Sequence, residues 1–543
     1  MSSLGFIAMG AAQAAIEAHV PTLVTTQVAS RISNKDTSLW VPSAREEAAT
    51  RLGWIDAPST SRALLPAILA LRDELRAEGV NRIVLAGMGG SSLAPEVICA
   101  TNNVELVVAD STDPEMLAGI LTDRLATTAL VVSSKSGSTV ETDSQRRVFE
   151  QAFNDAGINA ARRIIVVTDP GSPMDAASRA AGYRAVFNAD PNVGGRYSAL
   201  TAFGLVPAGL AGVDIAAFLD EAADAAEFLA EDDEDNIALA LGAAMAGTVP
   251  LRDKLIFSDE GSGLVGFADW AEQLIAESTG KSQRGVLPVV VEAGSPETTS
   301  AAADFLQIRL VADTGLLTDD ELDASSSAVA LSGALGAQML LWEYATVIAG
   351  HLLEIDPFNQ PDVEAAKVAA RSFLDATPED ESPLLVEGAI EVSGSADLLA
   401  GVNTLTEALN ALLAAMPSNG YLAVQTYLNR HADGQLEELR PLLAAATDRP
   451  VTFGWGPRFL HSTGQFHKGG PRVGAYLQLS AESTMDLSIP GRDFTFGELL
   501  AAQSSGDAHV LTDLGRPVLR LHLRDKDAGI RQLEELVRNL ATA

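Results

Sequence analysis

Five short apolar runs between residues 82 and 189 constrain this chain more than any other feature: "RIVLAGM" (82–88), "VELVVAD" (104–110), "TALVVSS" (128–134), "RIIVVTD" (163–169) and "YRAVFNA" (183–189). They are rich in β-branched residues and do not alternate apolar with polar. Such strands are buried on both faces, and the helix-like stretches between them supply the cover. The expectation is a doubly wound α/β unit with a parallel sheet. A second set follows at "KLIFSDE" (254–260), "VLPVVVEA" (286–293) and "FLQIRLVAD" (305–313), with "DWAEQLIAEST" (269–279) as an amphipathic helix between the first two. At 543 residues the chain is too long for one core, and its length fits two to four domains.

The stretch 214–247 reads as a long helical link, and 325–355 as a long apolar helix. The expected organisation is an N-terminal helical lead over 1–60 and a first α/β domain over 61–247. A second α/β domain over 248–543 carries a helical insertion near 376–447. Strand-like runs return at "RPVTFGWG", "RVGAYLQLS" and "RPVLRLHLR", before a C-terminal amphipathic helix. The apolar N-terminus "MSSLGFIAMGAAQAAIEAHV" lacks a basic leader and is interrupted by Glu17 and His19, so it reads as helix rather than signal peptide. No uncharged run reaches the ~18 residues of a membrane span.

Two loops at strand ends carry chemistry. "GMGGSS" (87–92) follows the first strand and "SSKSGST" (133–139) the third. Glycine allows close backbone approach, the next helix offers its free N–H groups, and hydroxyls add donors. That combination holds a phosphate without a net positive site. The point matters because the formal charge is −35 and the pI about 4.4. An acidic chain without Lys/Arg clusters is not built for nucleic acid, and any anionic ligand meets a repulsive mean field. Nucleotide motifs fail in detail. A dinucleotide fingerprint needs a third glycine where Ser92 stands, and a P-loop ending at "TGKS" (279–282) needs glycine at Ile275. The one cysteine, Cys99, excludes an internal disulfide framework and suits a reducing cytosol.

Further segments stand out. "VGGRYSALTAFGL" (193–205) sets Arg196 behind two glycines, a backbone thinned for ligand approach. "EQLIAESTGK" (272–281) puts Glu277 near the end of its helix. "DPFNQPDVEAAK" (356–367) turns into a helix bearing Lys367, and "RFLHSTGQFHKGG" (458–470) holds His461 and His467. His-x5-His without nearby Cys or carboxylate ligands is a poor metal signal.

Together and in this order, these segments resemble phosphoglucose isomerases, built from two sugar-isomerase (SIS-type) α/β domains. "GMGGSSLAPEV" is similar to the family's first Gly-Gly-Ser loop, "SSKSGSTVET" to its phosphate loop, "VGGRYSALTAFGL" to its Gly-Gly-Arg signature, "EQLIAESTGK" to its glutamate helix and "PFNQPDVEAAK" to its lysine signature. The resemblance implies aldose–ketose isomerisation of a sugar phosphate through a cis-enediol(ate), with no metal or redox cofactor. Glu277 would shuttle the proton between C1 and C2, and Arg196 would stabilise the developing oxyanion. His461 and Lys367 would open the ring. Gly90, Ser91, Ser134, Lys135, Ser136, Thr139, Thr142, Gly195 and Gln273 would contact or frame the substrate, Lys135 more as a brace.

The family's histidine normally precedes the lysine signature as His-x-x-x-Gln. Here that spacing occurs only later, at His461–Gln465, an order that resembles the isomerase half of fused transaldolase–phosphoglucose isomerases. His467 is the rival to His461, and Asp362 replaces a small residue in the lysine signature. The resemblance also implies a cytoplasmic homodimer in which the histidine enters from the neighbouring subunit, without nucleic acid or membrane. Two alternatives stay open: a sugar-phosphate sensor without catalysis, and a mannose or amino-sugar phosphate enzyme on the same scaffold.

Overall fold

The β-branched runs of the first half form one parallel sheet, in the order Val107–Ala109, Arg82–Ala86, Thr128–Ser133, Ile164–Thr168, Ala185–Asn188. Its three central strands are buried at every position, as a sheet covered on both faces requires. The structure is a computed structural model that describes residues 4–318, 327–375 and 382–542, with the backbone alone at Glu364, Ala366, Lys367 and Asp375.

A second sheet runs Gly5–Met9, Ala328–Ser332, Phe305–Val311, Lys254–Glu260, Leu287–Val291, parallel except for its first, edge strand. The mixed α/β class with parallel sheets is as expected, but two of these strands fall where the sequence suggests helix. Residues 5–9 pair with 328–332, and both lie in stretches whose composition favours an apolar helix. Ala and Leu favour helix, and a short buried strand carries no periodicity that separates it from a buried helix. The stretch 214–247 forms two helices, Ile215–Leu229 and Ile237–Ala246, divided by the acidic turn at 231–235.

The segment expected as a helical insertion near 376–447 is different. Helices Leu405–Ala415 and Leu439–Thr447 are present, but Leu385–Glu387, Ile390–Gly394 and Tyr421–Tyr427 are strands. They belong to a third sheet, in the order Leu385–Glu387, Ile390–Gly394, Val518–Leu523, Gly474–Ala481, Tyr421–Tyr427, Val451–Trp455, whose last four strands are parallel. This sheet has its own apolar core. No helix among the described residues is long and apolar enough to cross a membrane.

Behind the second sheet, the helix Leu335–Leu352 is buried almost throughout and carries Glu343 with neither carboxylate oxygen hydrogen-bonded. Burial pushes this carboxyl well above its ordinary range. The folded state therefore keeps a proton that the unfolded chain releases. The resulting stability is complete below the unfolded value of about 4.3 and is lost as pH rises toward the folded value. Glu343→Gln should raise the melting temperature, with an advantage over wild type that widens from pH 5 to pH 8. One proton sets the limit at about 1.4 kcal/mol per pH unit. An advantage that stays constant with pH would show that Glu343 is not held protonated.

Candidate active site

A cavity of about 790 Å3 opens at the carboxyl edge of the first sheet, where ligands of doubly wound sheets bind. Both sequence loops reach it. Met88–Ser91 comes from the first, and Lys135, Ser136, Ser138 and Thr139 come from the second. Thr139 precedes the helix Val140–Asp155, so the hydroxyls ring an N-terminus with its first-turn N–H groups and positive dipole end. Ser136 Oγ lies 2.8 Å from Ser138 Oγ.

Two expected contacts sit behind this surface and do not line it. Ser134 Oγ lies 3.2 Å from Thr139 Oγ1 and accepts from Gly137 N at 3.1 Å, bracing the loop. Thr142 is fully buried, its hydroxyl without a partner, because helical geometry turns it inward from a helix whose start faces the cavity. Lys135 Nζ donates to Asp169 Oδ2 at 2.6 Å and to the Pro191 carbonyl at 3.1 Å, the bracing role the sequence suggests.

Across the cavity stand Arg196 and Glu277, both buried. Arg196 lies on the short turn Gly195–Tyr197 and Glu277 on the helix Phe267–Thr279, every residue of which is buried except Asp269 and Glu272. Arg196 Nη1 is 3.4 Å from Glu277 Oε1. The guanidinium is otherwise fixed by Ser278 Oγ at 2.8 Å, Gln360 Oε1 at 3.2 Å and the carbonyls of Pro357 and Asn359, each at 2.9 Å. The backbone clearance lies at Gly90 rather than at the two glycines before Arg196, where a side chain would meet no close neighbour. A side chain at Gly90 would place Cβ 2.1 Å from the Gly195 carbonyl oxygen.

Sequence reasoning missed Lys281, although it ends the glutamate segment "EQLIAESTGK". Its ammonium donates to the Asp356 carbonyl at 2.6 Å and to Asn359 Oδ1 at 2.9 Å, holding the turn that cradles Arg196. Burial, with Arg196 adding to it, pushes Lys281 well below the ordinary lysine range.

His461 lines the same cavity, at the end of the short turn Arg458–His461. Its Nε2 lies 3.0 Å from Glu141 Oε1. Gln503 Nε2 donates to that oxygen at 2.7 Å, and Thr112 Oγ1 donates to Gln503 Oε1 at 2.7 Å. Glu141 is a second residue that sequence reasoning missed. It stands inside "STVET", but only a three-dimensional partner distinguishes it from any first-turn glutamate. Gln273 Nε2 donates to Glu277 Oε2 at 3.1 Å and to the His461 carbonyl at 2.8 Å, tying the two candidate catalytic groups together.

Gln465, four residues on, donates to Asp362 Oδ2 at 2.6 Å and to the Gly280 carbonyl at 2.9 Å. The unusual Asp362 thus gives Gln465 its partner. His467 lies elsewhere, buried within hydrogen-bond distance of the Tyr421 hydroxyl at 2.9 Å, and burial pushes its imidazole well below the usual range. The resemblance implies a histidine from the neighbouring subunit, whereas here it meets the cavity of its own chain. Lys367 belongs to the helix Pro361–Asp375, but its side chain lies outside the described residues. Among the described residues no group of three or more His, Cys, Asp or Glu side chains is placed to hold a metal.

The family model "Phosphoglucose isomerase" matches residues 75–291. A glucose-6-phosphate isomerase of Cyanothece sp. is 30% identical over 351 residues, which cover 54% of this chain and 65% of that one. A probable glucose-6-phosphate isomerase of Halobacterium salinarum is 30% identical over 327 residues, covering 51% of this chain and 76% of the relative. The chain belongs to the phosphoglucose isomerase family.

Solved structures similar in fold include a hypothetical protein from Thermus thermophilus, with a TM-score of 0.58 at 24% identity over 68% of this chain and 100% of that one. Another is a glucose-6-phosphate isomerase from Chlamydia trachomatis, with a TM-score of 0.55 at 16% identity over 69% of this chain and 89% of that one. The match to the phosphoglucose isomerase model covers both hydroxyl-rich loops, Arg196 and Glu277 and ends before the third sheet, so His461 lies beyond it.

Proposed function

We propose that this protein interconverts glucose 6-phosphate and fructose 6-phosphate. The observation that carries the reading is the buried Glu277–Arg196 pair, 3.4 Å apart, facing the hydroxyl-lined helix N-terminus across one cavity. The phosphate is held by Ser136, Ser138, Thr139 and the helix N-terminus, which leaves C1 and C2 toward Glu277. Its carboxylate takes the proton from one carbon and returns it to the other through a cis-enediol(ate), as a positioned general base can. Arg196 meets the negative charge that develops on oxygen, and its anchored guanidinium needs no reorganisation to do so.

Ring opening falls to His461, whose imidazole is oriented through Nε2 by Glu141, with Lys367 as the second group. The reaction places the protein in glycolysis and gluconeogenesis in the cytoplasm. A homodimer belongs to the same reading, although the histidine needs no subunit crossover. The test is a coupled assay with fructose 6-phosphate in the presence of EDTA. Turnover to glucose 6-phosphate supports the reading. Faster turnover to mannose 6-phosphate would change the epimer, and phosphosugar binding without turnover would make the protein a sensor.

Replacing Ser136 and Thr139 together by Ala should raise KM for fructose 6-phosphate about tenfold or more and change kcat little, because phosphate contacts act alike on ground and transition states. A fallen kcat at constant KM would give these hydroxyls a part in the chemistry. Gly90→Ala acts differently. Its methyl must displace the Gly195–Arg196 backbone, and a shift of about 1 Å in a catalytic group can cost about 10²-fold. We expect a kcat/KM loss of that size with a cooperative melting transition retained, and near-wild-type kinetics would contradict the close approach.

A further inference from the structure

The third sheet meets the first α/β unit at the carboxyl ends of two of its parallel strands. Its parallel strands reverse order between Gly474–Ala481 and Tyr421–Tyr427: one branch runs on to Val518–Leu523, the other to Val451–Trp455. Here the loops leaving Tyr421–Tyr427 and Val451–Trp455 present Arg430 and Arg458.

These guanidinium groups hold two carboxylates of the first α/β unit. Arg458 contacts Asp110 Oδ2 at 2.7 Å and Glu96 Oε2 at 2.6 Å, and Arg430 contacts Glu96 Oε1 at 3.0 Å and Asp110 Oδ1 at 3.3 Å. The four charges alternate in a closed ring. Asp110 is 1% exposed and the two arginines 15–16%. Burial opposes the charge on Glu96, but Arg458 and Arg430 outweigh it and hold the carboxyl at about 2. Glu96 lies in the helix Leu93–Thr101, directly after the Gly-Gly-Ser loop, and Asp110 directly follows the strand Val107–Ala109. A second latch lies alongside, with Lys526 Nζ 2.9 Å from Glu115 and 3.3 Å from Asp433.

The ring matters because Arg458 shares its short turn with His461, three residues further along the chain. At the histidine end the turn is fixed by Gln273 and by close approach to Gly89, where a Cβ would stand 2.5 Å from the His461 carbonyl oxygen. We propose that the Arg430–Glu96–Arg458–Asp110 ring delivers His461 to the cavity within a single chain, and that Arg458 is a positioning residue for ring opening. This rests on His461 being the ring-opening group. Arg458 reaches two carboxylates with one planar fork, which a lysine ammonium cannot match. Without it, the buried Asp110 and the partly exposed Glu96 each lose a partner and the turn loses its anchor at the arginine end.

The test uses the full-length protein with Arg458→Met, Arg458→Lys and Glu96→Gln, each alone and combined with His461→Ala. Two substrates separate the steps: glucose 6-phosphate, which must be opened, and erythrose 4-phosphate, whose esterified O4 prevents ring closure. Arg458→Met should lower kcat/KM for glucose 6-phosphate about 10²-fold, the scale of a misplaced catalytic group. Arg458→Lys should fall between it and wild type.

Solvent deuterium exchange at C2 of erythrose 4-phosphate should stay within about threefold of wild type, well short of the tenfold that 1.4 kcal/mol represents. In the His461→Ala background the Arg458 changes should cost almost nothing more, the non-additivity expected of residues acting through one group. Should Arg458→Met fail to fold, Glu96→Gln reads out the same coupling from the other side of the ring. Multiplying losses in the double variants, or exchange on erythrose 4-phosphate falling in step with turnover, would overturn the proposal. Failure of the isomerase reading looks different, because the wild type would then show no exchange on either substrate.

Discussion

Glu277→Gln is expected to abolish isomerisation while leaving phosphosugar binding within a few-fold of wild type. The amide keeps the shape of the carboxylate, so the contacts from Gln273 and Arg196 can persist in altered form around a side chain that cannot accept a proton. General-base catalysis contributes typically about 10²–10⁴-fold. Here one carboxylate takes the proton and returns it, so the loss should lie at or beyond the upper end. Retention of more than about a tenth of wild-type kcat, a barrier change under about 1.4 kcal/mol, would remove Glu277 from the mechanism. Binding has to be measured in parallel. A variant that loses phosphosugar as well as turnover would indicate a collapsed cavity rather than a missing base.

The second large effect concerns His461. His461→Ala should slow turnover of cyclic glucose 6-phosphate by about 10²–10³-fold, within the range of acid–base catalysis. C2 proton exchange on open-chain aldose phosphates should continue through Glu277. His467→Ala is the control, with a different expected outcome. That ring is buried against Tyr421 and Tyr476, so its removal leaves a cavity where the second and third sheets meet and takes one of the two partners of the Tyr421 hydroxyl, which keeps Tyr476. It should lower the melting temperature and leave the ratio of turnover to exchange unchanged. If His467→Ala alone blocked the cyclic substrate, the assignment of the two histidines would be reversed.

The parts of the molecule legible in the sequence are those whose chemistry is local. The parallel strands around Val84, Val132 and Val166 declare themselves because burial on both faces selects β-branched residues without alternation. The hydroxyl-rich loop and the glycines of "GMGGSS" are legible for a similar reason, since a phosphate and a close backbone approach, here at Gly89 and Gly90, each demand particular residue types over a few positions. The third sheet is legible in part: the strand-like runs at 449–456, 472–480 and 516–524 are its strands Val451–Trp455, Gly474–Ala481 and Val518–Leu523, whereas Leu385–Glu387, Ile390–Gly394 and Tyr421–Tyr427 are not apparent. Its strand Tyr421–Tyr427 mixes Gln425 and Thr426 with apolar residues, and its pairing partners are spread from 385 to 523.

Glu141, Lys281 and the Arg458 ring are hidden for the same cause. Each acquires its role from a partner at least 75 positions away in sequence, as Lys281 does from Asp356, and no local pattern encodes that distance. Ser134 and Thr142 show the reverse error. A hydroxyl in the right segment suggests a contact, whereas helix and turn geometry direct these two inward.

The central claim is that Glu277 carries a proton between C1 and C2, and fructose 6-phosphate isomerisation in deuterium oxide tests it most directly. NMR spectra would be followed for wild type and Glu277→Gln at equal protein concentration. The account predicts glucose 6-phosphate from the wild type with deuterium in part of the C2 positions, and neither product nor exchange from the variant. Product formed at an undiminished rate by Glu277→Gln, or deuterium still entering C2 in that variant, would contradict it.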